Sequence, residues 1–258
     1  MNDRAIQDTL IRALADAPFR SSPDWREQAL ADPARVERFA RFLARHYYYE
    51  RLMHFFKYSR ALAKVTGRTP ETVLAGTGFD ALLGDLVLGS RASAIAVARL
   101  AADHVRGGTG ALDRVPYLDD LLAYERAMMV VESGARVWND GTGAEVLKHQ
   151  WSAPIRDEGT MLIDFAYDLP MVLPFLIKPW TDVPQPPRQK TRLLFSRSPH
   201  GRVSVARTST AIDTLLELAD GRKSLEDLAR EAGLRPAELQ ATLEGLVDIG
   251  AVRFSHGS

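Results

Sequence analysis

His46, Glu50 and His54 carry the most chemical potential in this sequence. Their i, i+4, i+8 spacing puts imidazole, carboxylate and imidazole in a row on one helical face, where together they can ligate a transition metal. A di-metal helical bundle normally adds Glu-x-x-His pairs and carboxylates from other helices, and no Glu-x-x-His occurs in the 258 residues. Asp103, His104 and Glu125 are the remaining groups that could complete a site. Buried polar side chains are normally just hydrogen-bonded, so these groups are expected to satisfy one another or face a partner, and no metal or other cofactor is expected in this chain. A helical-bundle metalloenzyme built on His46, Glu50 and His54 stays as an alternative.

Nucleophilic and phosphate chemistry lack their signatures. There is no cysteine, which excludes thiolate ligands, a cysteine nucleophile and disulfides. Gly-x-Ser-x-Gly, the phosphate-binding loop, the dinucleotide glycine run and His-Glu-x-x-His are all missing. Gly107-Gly108-Thr109-Gly110 follows a helical pattern rather than a strand and reads as a loop. No catalytic residue is expected.

Around the two histidines, Tyr47, Tyr48, Tyr49, Phe55, Phe56 and Tyr58 run right round the helix, more than one core-facing stripe needs. Exposed aromatic residues mark interfaces, so a partner surface is expected from His46, Tyr47, Tyr48, Glu50, Arg51, His54 and Phe55. Tyr48 and Phe55 are favoured for docking because they lie off the main face. Arg51, Lys57, Arg60 and Lys64 follow as a basic stripe, which reads as a solvated face.

The elements that must position these residues are helical up to about Gly134. Prolines 18, 23, 33, 70 and 116 sit where segments should start or stop. The clearest helix is expected from Arg35 to Val65, which contains neither Pro nor Gly. Phe39, Leu43, His46, Tyr47, Glu50 and His54 share one side of it, and it must pack against other helices. Further helices are expected over Phe79–Leu88, Ala92–His104 and Pro116–Glu132. Asn139-Asp140-Gly141 marks a turn, and the alternation of Met161, Ile163, Phe165 and Tyr167 with Leu162, Asp164 and Ala166 marks a strand. Asp168-Leu169-Pro170 starts a short helix, and Pro179, Pro184, Pro186 and Pro187 make a stiff, extended stretch. The expected organisation is an all-helical partner-docking domain (1–150), a strand, short helix and proline-rich linker (151–187), and a C-terminal module (188–258).

Lys and Arg balance Asp and Glu at 33 each, which removes the whole-molecule field of a dedicated nucleic-acid or membrane-surface binder. The apolar run Leu169–Trp180 is too short to span a bilayer and holds three prolines. No signal-peptide core opens the chain, and a cytoplasmic location is expected.

In the C-terminal module, Arg192–Phe195 and Val203–Arg207 flank a turn at Ser198-Pro199-His200-Gly201, the pattern of a hairpin. Three short helices follow, started by Thr208-Ser209, Ser224 and Arg235 and closed by Gly221, Gly233 and Gly250. The expected fold class is mainly α with a small α+β part, ending in a winged-helix domain. Winged helices usually bind DNA, but Pro236–Gly250 contains no Lys or Arg and shows Glu238, Glu244 and Asp248. A helix that reads the major groove needs the opposite charge. Arg192, Arg197, Arg202 and Arg207 on the hairpin keep a DNA-binding regulator as an alternative.

Arg202–Phe254, with Leu216-Glu217-Leu218-Ala219-Asp220-Gly221-Arg222 as its most telling piece, resembles the peptide-recognition fold typified by the pyrroloquinoline quinone chaperone. This is the recognition element of ribosomally synthesised, post-translationally modified peptide (RiPP) biosynthesis. The resemblance implies that a precursor's leader is added as a strand at a sheet edge. The groove would lie between Val203, Ser204, Val205, Ala206 and Arg207 on the strand and Leu239, Thr242, Leu243 and Leu246 on the last helix, some of those leucines also filling the module's own core. A second resemblance covers most of the chain. Arg41–Arg68, Tyr117–Met129 and Asp164–Leu173 are similar to the small partner subunits of multinuclear non-heme iron-dependent oxidases in methanobactin and thia-amino-acid peptide biosynthesis. It implies a heterodimer with a TIM-barrel enzyme that holds the iron and modifies a cysteine of the bound precursor peptide.

Overall fold

The structure, a computed structural model, describes residues 3–27, 32–134 and 153–254. The protein is mainly α with a small antiparallel β part, as the sequence predicts. The chain forms two compact units, each built from two stretches: Met1–Gly134 with Asp168–Pro187, and Ala135–Tyr167 with Arg188–Ser258. The turn expected at Asn139-Asp140-Gly141 lies outside the described residues.

The helical unit opens with α1 (Asp3–Ala15), α2 (Ala17–Arg20) and α3 (Pro23–Arg26). Short polar caps set these boundaries: Phe19 N donates to Asp16 and Trp25 N to Ser22, each ahead of a first-turn proline. Then come α4 (Pro33–Phe55), α5 (Lys57–Ala61), α6 (Ala63–Thr66), a 3-10 turn over Pro70–Ala75, α7 (Thr77–Leu82), α8 (Arg91–Arg106), α9 (Ala111–Arg114) and α10 (Leu118–Glu132).

The helix expected from Arg35 to Val65 is therefore broken at Phe56, which is fully buried. The cause is tertiary. One oxygen of the Glu125 carboxyl group on α10 accepts the N–H groups of Tyr58 at 2.7 Å and Ser59 at 3.0 Å, which supplies α5 with the cap that any helix N-terminus needs. A break made this way requires neither Pro nor Gly.

α8 packs along α10, and its buried residues are mostly small, with Ala94, Ala98, Ala101 and Ala102 among them. α10 is buried on almost every side, the state expected of a helix enclosed by neighbours, and α4 and α5 lie against it. α4 turns Ala40, Ala44, Tyr48, Leu52 and Phe55 inward. The side shared by Phe39, His46, Glu50 and His54 is turned to solvent, opposite to the packing face.

The proline-rich stretch belongs to this unit and buries apolar residues of its own. It holds α11 (Leu169–Val172), with Leu169, Val172, Leu173 and Leu176 buried. Asp168 N donates to Pro187 O at 3.1 Å, closing its base, and Trp180 N donates to Ala61 O at 2.9 Å. No helix among the described residues is long and apolar enough to cross a membrane.

The second unit contains β1 (Pro154–Arg156), β2 (Met161–Phe165), β3 (Thr191–Arg197), β4 (Val203–Arg207), α12 (Thr210–Leu218), α13 (Leu225–Ala232), α14 (Pro236–Asp248) and β5 (Val252–Phe254). β2, β3 and β4 form an antiparallel sheet in that order, and β1 pairs with β5. Leu162, Leu194 and Ala206 are in register on one face. There Leu194 joins Leu215, Leu216, Leu228, Leu239, Leu243 and Leu246 in one core. Phe165, Leu193 and Phe195 are buried on the other face.

Ser209 caps α12 and Ser224 caps α13, as their positions in the sequence predict. Gly250 is needed for two reasons. Its φ is +74°, and a Cβ there would lie 1.9 Å from Arg197 O. Beside it Ser196 Oγ donates to Ile249 O at 2.7 Å, so the end of α14 is stitched to β3. The Asp220-Gly221-Arg222 turn is where β1 is seated: Gly221 N donates to Pro154 O and Arg156 N to Ala219 O.

Candidate functional site

β4 is one of the two edge strands of the three-stranded sheet, β2 being the other. β4 pairs with β3 on one side, and among the described residues no strand pairs with the other. The direction of its backbone groups follows from the ends of the hairpin. Ser198 N donates to Arg202 O at 2.8 Å, and Thr208 N donates to Arg192 O at 3.2 Å. Bonded and non-bonded pairs alternate along an antiparallel ladder. With Leu194 opposite Ala206 and Ser196 opposite Ser204, the even-numbered residues of β4 turn their N–H and C=O to β3. Val203 and Val205 therefore turn theirs outward. Free edges are usually blunted by proline, lysine or a bulge, and between Val203 and Ala206 β4 has no such device.

Val203, Ser204, Val205 and Ala206 are half-buried and Arg207 is exposed. The helix side differs from the sequence expectation. Leu239, Leu243 and Leu246 are buried in the core with Leu194 and Leu215, so they fill the module instead of lining a groove. Leucines on one stripe of a short helix go inward first, because α14 is the element that closes this core. Thr242 remains half-buried on the same helix.

Part of the charge around this edge is spent within the unit. Arg192 donates to both oxygens of Asp164, at 2.6 and 2.8 Å, and to Asp213 at 3.1 Å. The bidentate hydrogen bond holds the Asp164 carboxyl below its ordinary range. On α14, Gln240 donates to Glu244, and Glu238 pairs with Arg235 at the helix start.

On α4, His46, Glu50 and His54 do lie along one side, and that side is exposed. Among the described residues no group of three His, Asp or Glu side chains is arranged to hold a metal ion. Asp103, His104 and Glu125 do not converge on them. His104 Nε2 is 2.8 Å from Thr72 Oγ1, Asp103 lies 3.7 Å from Arg99, and Glu125 caps α5.

The expected partner surface is split by the fold. Tyr48 is 1% exposed and Phe55 7%; both are core residues, and the placement of these two at an interface is corrected accordingly. They sit on the Ala40, Ala44, Leu52 side of α4, which is turned inward, and Tyr48 meets the Phe79 ring of α7 edge-on. Tyr47 is half-buried, and Arg51 is tied to Glu132 and Ser133 with its guanidinium over the Tyr47 and Phe55 rings. The aromatic residues actually on the outside are Phe39, Phe42 and Tyr49, which with His46 form a stripe at 3-4-3 spacing. That spacing is visible in the sequence, but which helical side faces the core is not. No protein-family model matches the chain, and a search of curated proteins finds no match.

Proposed function

We propose that this chain is a non-catalytic recognition subunit that captures a ribosomally made precursor peptide by adding its leader as a strand to β4. In this reading β3, β4 and helices α12–α14 act as a winged-helix RiPP recognition element, and the helical unit docks a TIM-barrel, multinuclear iron oxidase. The iron and the chemistry on the precursor's cysteine belong to that second protein, in the cytoplasm, and this chain holds no cofactor. The observation that carries the reading is the edge of β4, unpaired among the described residues, with Val203 and Val205 presenting backbone donors and acceptors outward. An extended peptide there gains main-chain hydrogen bonds for affinity and takes its specificity from neighbouring side chains.

Two features favour a peptide over DNA. α14 has no Lys or Arg, and Arg192 of the hairpin is already neutralised by Asp164 and Asp213. Binding to nucleic acid would fall steeply between about 50 and 200 mM salt, while strand addition depends on backbone geometry.

The test is Val205→Pro, measured as affinity for a fluorescein-labelled synthetic leader of a candidate short, cysteine-containing precursor peptide. Proline removes an outward N–H without touching the β3 ladder. The expected result is loss of leader binding in a folded variant that still co-purifies with the oxidase. Unchanged affinity would exclude this edge.

A further inference from the structure

The exposed stripe of α4 points to a binding surface of definite chemistry. Phe39, Phe42 and Tyr49 are 50%, 61% and 42% exposed, and with His46 they repeat at the 3-4-3 spacing of a helix-pairing seam. Their rings are already organised: Phe39 and Phe42 stack with centroids 6.3 Å apart, and Phe42 and His46 do the same. The opposite side of α4 is the one that packs, through Ala40, Ala44, Tyr48 and Leu52, so this stripe lies outside the core. Phenylalanines that stay in water without an internal role mark an interface.

Charge specifies the occupant. Arg41 and Arg45 on α4 are paired with Glu37 and Asp80. Arg35, which continues the stripe one turn before Phe39, and Arg38 on its flank are exposed, and neither has a carboxylate partner among the described residues. We infer that the stripe receives an amphipathic helix of another protein, with apolar residues at three- and four-residue spacing and Asp or Glu along the flank that meets Arg35 and Arg38. A second copy of this chain fits poorly. Parallel pairing of two α4 helices sets Arg35 against Arg35 of the other copy within the seam, and antiparallel pairing sets Arg38 on the flank that carries Arg45 of the other copy. The inference rests on the helical unit being the docking part of the molecule, and it does not depend on the β4 edge.

Two synthetic helices of four heptads test it, both with Leu at the seam positions, one flanked by Glu and the other by Lys. Each is labelled with fluorescein and titrated with the full chain. The Glu-flanked helix is expected to bind at least about ten-fold more tightly, and Arg35→Glu with Arg38→Glu to reverse that preference. Phe42→Ser should abolish binding of both helices while leaving the thermal midpoint within a few degrees, because Phe42 is outside the core. Val205→Pro should change none of this, which separates failure here from failure of the peptide reading. Equal affinity for the two helices, binding that survives Phe42→Ser, or a dimer in sedimentation that Phe42→Ser dissolves would each overturn the inference.

Discussion

Glu125 sits fully buried on α10 with one oxygen accepting two backbone N–H groups of α5 and the other without a hydrogen-bond partner among the described residues. Burial raises its carboxyl to about 8, against the opposing effects of the Ser59 and Tyr58 hydrogen bonds and the charge of Lys57. The folded state thus binds a proton that the unfolded chain has already lost above the ordinary glutamate range. The resulting stability is fully present below about pH 4.5 and is lost as pH rises through about 8. The urea midpoint of the protein is therefore expected to fall between pH 5 and pH 8.5, and Glu125→Gln to flatten that dependence. Identical slopes for the two proteins would show that Glu125 is charged at neutral pH in the fold. Gly250 offers a second check, since its Cβ would meet Arg197 O while a Cβ at Gly233, with φ +68°, meets nothing within 4 Å. Gly233→Ala should cost about 1 kcal/mol, the left-handed backbone penalty alone, and Gly250→Ala clearly more in the same denaturation assay. The closing glycines and the serine caps were legible because they act within a few residues of their own helix. Glu125 was not, since a glutamate in a helix reads as a surface residue until its tertiary neighbours are known.

α4 carries the main lesson at the scale of the element. Its period of 3.6 is plain in the sequence, yet residues that stand out chemically, the histidines with Phe39, Phe42 and Tyr49, are on the outside. The packing side is made of two alanines, Tyr48, Leu52 and Phe55. Alanine at the contact lets α4 approach its neighbours closely, a gain that hydrophobicity alone does not reveal. The expectation is that Leu52→Ala costs about 2–5 kcal/mol, the usual cost of truncating a fully buried leucine, while Phe42→Ala stays within about 0.5 kcal/mol. Chemical denaturation of both variants decides it, and a larger loss for Phe42→Ala would invert the orientation of α4. In α14 the stripe Leu239, Leu243 and Leu246 was equally legible as a stripe, but core and groove need the same residue types. The sheet to which α14 is stitched through Ser196 and Gly250 makes the choice. The break after Phe55 belongs in the same class: it comes from Glu125, far along the chain.

For the whole molecule, the helical and mixed halves and the hairpin could be read from local pattern, whereas the assembly of each unit could not. β2 pairs with β3 across the proline-rich stretch, β1 pairs with β5 at the far end of the chain, and Asp168–Pro187 packs with the helices. Such pairings join segments whose own sequences carry only the tendency to extend. They also leave β4 as an edge of its sheet, and the proposed function stands on that edge. Residue-resolved amide hydrogen exchange of the full chain, with and without the leader peptide, tests it most directly. The N–H groups of Val203 and Val205 should exchange freely in the protein alone and become protected when the peptide is added, while Ser204 and Ala206, already bonded to β3, change little. Protection that appears elsewhere with Val203 and Val205 still exchanging freely would contradict strand addition at β4.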